Sequence, residues 1–118
     1  MRVRLLNDEP EIICCPEAYD TLLDSDWHGI FSQPDYGYPL IEGRRKVAVW
    51  SREPWNEIDA LGTSELPAGR FVSGCTNTSI GPIRVVAICV PWAAAHVSTG
   101  RRDRNRWDDH IAYLRGYA

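Results

Sequence analysis

Glu17 closes a short apolar run, Pro10-Glu11-Ile12-Ile13-Cys14-Cys15-Pro16-Glu17. Ile12 to Cys15 is too short for a buried helix and too apolar for a half-exposed strand, which predicts a central strand covered on both faces. Pro16 lacks a backbone donor and is expected to end the pairing. Glu17 would then stand at the carboxyl end of a buried strand, where open α/β sheets put their ligands. A carboxylate there suits a hard metal ion. A glutamate that opens a loop or caps a helix meets the same pattern.

Two basic clusters could contact phosphate: Arg101, Arg102, Arg104 and Arg106, and Arg44, Arg45 and Lys46. Each could instead be a solvated face, the first partly balanced by Asp103, Asp108 and Asp109. Trp92 and Trp107 could stack on a nucleobase or pack in a core or interface. His96 reads, on its own, as a surface-loop histidine.

Composition bounds the class that must hold these residues. At 118 residues, 44% apolar and 25% charged, the chain is long enough for one domain with a core of its own. No run approaches 18 apolar residues, so no membrane span is expected. The basic start, Met1 to Arg4, meets acidic residues before any apolar stretch of signal-peptide length, which points to the cytoplasm. The four cysteines lack the paired spacing of a zinc site, and vicinal Cys14 and Cys15 rarely bridge each other. All four read as reduced, mostly buried thiols. A net charge of -3 gives no overall pull toward nucleic acid.

Along the chain, residues 1–8 read as the last turns of a helix. A short helix or turn over Ala18 to Leu23 follows the first strand. Residues 24–43 are rich in Asp, Ser, Gly and Pro and read as irregular structure around Trp27, Phe31, Tyr36 and Tyr38. Lys46 to Ser51 is a strand, ended by Pro54 and Trp55, and Ile58 to Gly69 is a loop. Arg70 to Thr76 alternates and Ile83 to Val90 is apolar; the turn chemistry of residues 77–82 joins them as a hairpin. Trp92 to Gly100 is a loop. A helix is expected from about Asp103 to the end, capped by Asp103 or Asn105. Its apolar face would be Trp107, Ile111 and Leu114.

Four stretches together resemble the endonuclease/exonuclease/phosphatase superfamily of metal-dependent phosphoesterases. They are Glu9 to Glu17, Gly43 to Trp55, Gly81 to Val86, and Cys89-Val90-Pro91-Trp92 followed by Arg104 to His110. The resemblance implies an α/β fold, part of a two-sheet β-sandwich flanked by helices in the four-layer manner of pancreatic-type DNases. It places the family's metal-binding glutamate on Glu17, with Mg2+ or Mn2+ as the cofactor. It also implies a phosphate-ester substrate, including nucleic acid, inositol phosphates or phospholipids. The family's phosphate-contacting tyrosine or histidine falls at or beside Cys89. A thiol donates only a weak hydrogen bond, so His96 could take that part. Arg101 and Arg102 would contact phosphate.

The family also carries an asparagine strand, an Asp-x-Asn and a closing Asp-His pair. Asp103-Arg104-Asn105 and Asp109-His110 match the last two in letters but lie where the helix is expected, so the catalytic base and transition-state histidine are expected outside this chain. Residues 1–118 are thus expected to be a single, incomplete domain. The alternative is a catalytically silent module that binds a partner or nucleic acid, or associates with itself through exposed sheet edges.

Overall fold

A computed structural model describes residues 8–64, 66 and 68–118. The expected helix over residues 1–8 falls almost wholly outside them. Among the described residues there are six strands and one helix: β1 (Ile12–Tyr19), β2 (His28–Phe31), β3 (Arg44–Ser51), β4 (Trp55–Asp59), β5 (Phe71–Thr78), β6 (Gly81–Ile88) and α1 (Asp108–Tyr117). The strands form two antiparallel sheets, in the orders β1-β3-β2 and β4-β5-β6. The two sheets of the expected fold are therefore present. Of its flanking helical layers, α1 alone lies among the described residues. No helix there is long and apolar enough to cross a membrane.

β3 forms because Val47, Ala48, Val49 and Trp50 supply apolar, largely β-branched or aromatic side chains to both faces. Val47 and Val49, with Ile30 of β2, meet Val72 and Ala87 of the second sheet. Ala48 and Trp50 face the other way, against Ile13, Cys15, Ala18, Leu23 and Trp27. Fully burying each of Val47, Val49 and Val72 contributes about 2 kcal/mol. Both faces of the first sheet are thus covered, one by a sheet and one by the connection that follows β1.

The central strand of that sheet is β3, and this corrects the reading of β1. Among the described residues β1 pairs with β3 alone, so it lies at an edge of that sheet, and Cys14 is exposed beside buried Ile13 and Cys15. Pro16 does not end it: pairing continues through Pro16 opposite Val47 to Tyr19 opposite Arg44. An edge strand has one neighbour and needs only half its N–H groups for the ladder, which is why a proline fits there. The inward alternation slips at Glu17, where φ is 53°, and Ala18 becomes the next buried residue. No helix follows.

Two further strands replace expected loops. β2 is only four residues and begins with an exposed His-Gly pair, so its composition is that of a turn. β4 starts at Trp55, directly after the Pro54 expected to end a strand, and its polar residues lie on an exposed edge. The β5–β6 hairpin matches expectation, with a tighter connection: Thr78 pairs Gly81 across Ser79 and Ile80. Ser51 and Thr76 hydroxyls, 2.8 Å apart, tie the two sheets at the end where β3 finishes.

α1 begins five residues later than expected. Trp107, in a left-handed conformation at φ 75°, is its N-cap and makes no side-chain capping bond. Neither Asp103 nor Asn105 caps it; the Asn105 N–H instead donates to the Asp108 carboxylate at 2.9 Å. The helix also faces the other way. Trp107, Ile111 and Leu114 are 48%, 44% and 47% exposed, and the buried positions are Asp109 and Tyr113. The period is helical, but the buried stripe centres on an i, i+4 pair containing a carboxylate, because that carboxylate is paired.

Candidate functional site

At the end where β1 finishes and β3 and β5 begin, three connections converge with the start of α1. Ser32 fixes the first of them. Its N–H and hydroxyl reach the Val47 carbonyl at 3.0 and 3.3 Å, and its hydroxyl accepts from the Val47 N–H at 3.1 Å. The chain then runs through Tyr36 and Tyr38. Lys46, the third residue of β3, lies between these rings and β1: its ammonium is 5.0 and 5.8 Å from the Tyr36 and Tyr38 ring centroids and donates to Glu17 Oε1 at 2.5 Å. That hydrogen bond first, and the Lys46 charge second, hold the Glu17 carboxyl below its ordinary range.

The Tyr38 ring stacks at a tilt on His96, with centroids 4.6 Å apart. Its phenol oxygen accepts from the His96 N–H and the Thr99 hydroxyl, both at 3.4 Å. Burial pushes the phenol up, but bonds from Thr99, His96 and Trp92, with the Arg70 charge, outweigh it and leave the value lowered. His96 is 2% exposed and sits between two glycines in left-handed conformations. A Cβ on Gly37 would lie 2.5 Å from His96 Cε1, and one on Gly100 2.5 Å from His96 Nδ1. Nδ1 accepts from the Arg101 N–H at 3.2 Å, so the ring proton is on Nε2, which points toward Asp109 Oδ2 at 3.6 Å. Burial chiefly, and the Arg101 charge next, lower the His96 value and keep the ring neutral.

Asp109 is the hub of the far side. It is 3% exposed, accepts from Arg101 Nη2 at 3.2 Å and from Arg104 Nε at 2.8 Å, and faces His96. Asp103 adds longer contacts to the same two arginines, at 3.6 and 3.8 Å. Below them Tyr113 donates to the Arg70 carbonyl at 2.8 Å; burial, first among its causes, pushes its phenol up to about 12. Arg70 itself is buried, and its Nη1 reaches the Cys89 carbonyl at 3.3 Å and the Cys89 sulfur at 3.8 Å.

Of the residues singled out from sequence, Glu17, Cys89, His96 and Arg101 come to this one end. Arg102 is exposed, in a left-handed conformation, and makes no ion pair with any described residue. The second basic cluster disperses. Arg45 pairs Asp20 at 3.1 Å and caps the Phe31 ring, Arg44 lies over Tyr19, and only Lys46 turns to the site. Tyr38, Arg70 and Asp109 were not anticipated. An aromatic inside a Gly- and Pro-rich segment was the available signal for Tyr38.

Four of the six non-glycine residues with positive φ among the described residues lie here: Glu17, His96, Arg102 and Trp107. Such conformations cost about 1–3 kcal/mol each and gather at functional sites.

The Glu17 carboxylate is neutralised by Lys46, and no group of three His, Cys, Asp or Glu among the described residues could hold an ion.

The chain matches no protein-family model, no curated protein and no solved structure.

Proposed function

We propose that this chain binds a phosphate ester and forms part of a phosphoesterase of the endonuclease/exonuclease/phosphatase kind. What supports the reading is the convergence of Glu17, Tyr38, Lys46, Arg70, His96 and Arg101 from separate segments on one end of the two sheets. The cations there outnumber the carboxylates, which favours an anionic ligand. His96 accepts from the Arg101 N–H through Nδ1, faces Asp109 with Nε2 at 3.6 Å and is 2% exposed, so it serves to position the Arg101 backbone. Hydrolysis would draw on Mg2+ or Mn2+ and on donors beyond those described here, with Glu17 as one ligand.

The test is twofold. Binding of inorganic phosphate and of a short single-stranded oligonucleotide is followed by calorimetry at low salt. Mg2+-dependent release of nitrophenol from bis(4-nitrophenyl) phosphate is followed beside Glu17→Gln. Saturable binding is expected; neither binding nor turnover overturns the reading. Binding without turnover above the Glu17→Gln background assigns the chain a binding role alone.

A second reading is favoured by a different observation. Trp92, Trp107, Ile111 and Leu114 expose apolar side chains on the 91–107 connection and α1, and a module that associates through this face would cover them. Light scattering decides it: a defined oligomer supports association, and a monomer at high concentration excludes it.

A further inference from the structure

The cations at this end differ in how they are paired. Lys46 is taken by Glu17, while Arg101 and Arg104 share Asp109 and Asp103. Of these four cations, counting Arg70, Arg70 alone has no ion pair among the described residues; exposed Arg102 nearby has none either. Arg70 is also the most deeply buried of the four, at 3% exposure. A buried guanidinium with no counter-charge is unfavourable by several kcal/mol in general, and native structures seldom leave one so.

The Arg70 main chain is fixed from three directions. The Cys89 N–H and the Tyr113 hydroxyl both donate to its carbonyl, at 2.9 and 2.8 Å. Gly69 before it holds a φ of 77° with the Asp35 backbone where a Cβ would stand. The side chain, in contrast, uses only Nη1, on the Cys89 carbonyl and, weakly, its sulfur. No buried side-chain nitrogen or oxygen among the described residues lacks a partner. Nε and Nη2 of Arg70 have no partner among the described residues and are therefore not wholly sealed from solvent. They are two adjacent N–H edges of a planar fork, the arrangement that takes two oxygens of one phosphate.

We propose that Arg70 is the anchor of an anion site that grips the non-bridging oxygens of a phosphate ester. The proposal rests on the phosphate-ester reading above and names the residue that holds the ligand. Lys46 supplies a second positive charge on the same side. The pairing of Lys46 with Glu17 offsets the repulsion of an anion by that exposed carboxylate.

The experiment is titration of the intact chain with inorganic phosphate and with a five-nucleotide single strand, at constant ionic strength set by chloride. Wild type, Arg70→Met, Arg70→Lys and the exposed control Arg84→Ala are compared by calorimetry, with folding checked by near-ultraviolet circular dichroism. Arg70→Met is expected to weaken phosphate binding about 10-fold or more. Arg70→Lys should fall between, since it keeps the charge and loses the fork, and Arg84→Ala should match wild type. If Arg70→Met does not fold, the side-chain Nε–H resonance of Arg70, identified by its absence from Arg70→Lys, decides: it shifts with phosphate if the assignment holds. A strand that binds tighter than phosphate identifies nucleic acid as the source of the ester, and the reverse identifies a free monoester. Binding equal in folded Arg70→Met and wild type, or an unmoved Nε–H, overturns the assignment while leaving the phosphate-ester reading intact. Absence of binding in wild type overturns both.

Discussion

Glu17 and Asp109 are two carboxylates at the same end of the molecule, and their surroundings could hardly differ more. Glu17 is 53% exposed and held by one flexible ammonium. Asp109 is 3% exposed and held by two guanidinium groups beside a neutral imidazole. An exposed pair gains little Coulomb energy and gives up side-chain freedom, so Glu17 can be released to a ligand at small cost. A buried carboxylate cannot be released without stranding two arginines. One carboxylate is therefore easily separated from its partner, and the other is a fixed part of the structure.

The sharpest way to break this contrast is Asp109→Asn. Removing the charge should lower the stability of the chain by about 3 kcal/mol, read as a shift in the urea midpoint at unchanged slope. A loss below 1 kcal/mol would mean that the arginines gain as much from water as from Asp109.

A smaller loss is expected from acid, and it should come in two steps. The His96 value lies below its ordinary 6.5 in the folded chain, so the unfolded chain takes up that proton more readily. The stability this represents is complete above pH 6.5 and drains as pH falls through the lower folded value. The Glu17 value lies below its ordinary 4.5, so its contribution is complete above pH 4.5 and drains only beneath it. Urea midpoints measured across pH should show the first step vanish in His96→Gln and the second shrink in Glu17→Gln. A single unchanged acid limb in both variants would refute the division.

Tyr113→Phe removes the hydroxyl beneath Arg70 and should cost about 1 kcal/mol, since one carbonyl loses one buried donor. Glu17→Gln at neutral pH should move the midpoint least, by less than about 0.5 kcal/mol. A larger effect would place Glu17 among the structural carboxylates and weaken its standing as a ligand.

The parts of this fold that were readable from sequence are those where composition and environment agree. β3 and the β5–β6 hairpin carry β-branched and apolar residues into a core, and turn chemistry into a turn. β1 was readable as a strand but not as an edge, because the exposure of Cys14 depends on which strands lie beside it. β2 and β4 are short and polar at the positions that face water, so nothing in their composition separates them from loop.

The site was half legible for the same reason. Glu17, at the end of an apolar run, is conspicuous in one dimension. Asp109 is not: an aspartate among arginines on a helix reads as a wet face until the fold brings Arg101 and Arg104 back over it. The phase of α1 followed from that error. Trp107, Ile111 and Leu114 have the right spacing for a core and the wrong side of the helix.

The glycines that clasp His96 have a consequence for how this sequence can vary. Gly37 and Gly100 come from connections more than sixty positions apart, yet each leaves room for the same imidazole and for nothing larger behind it. A side chain at either position displaces the ring, and a displaced ring releases the Arg101 N–H and unseats Asp109. Positions 37, 96 and 100 are thus coupled by shape, and divergent copies of this chain should keep all three or exchange all three together.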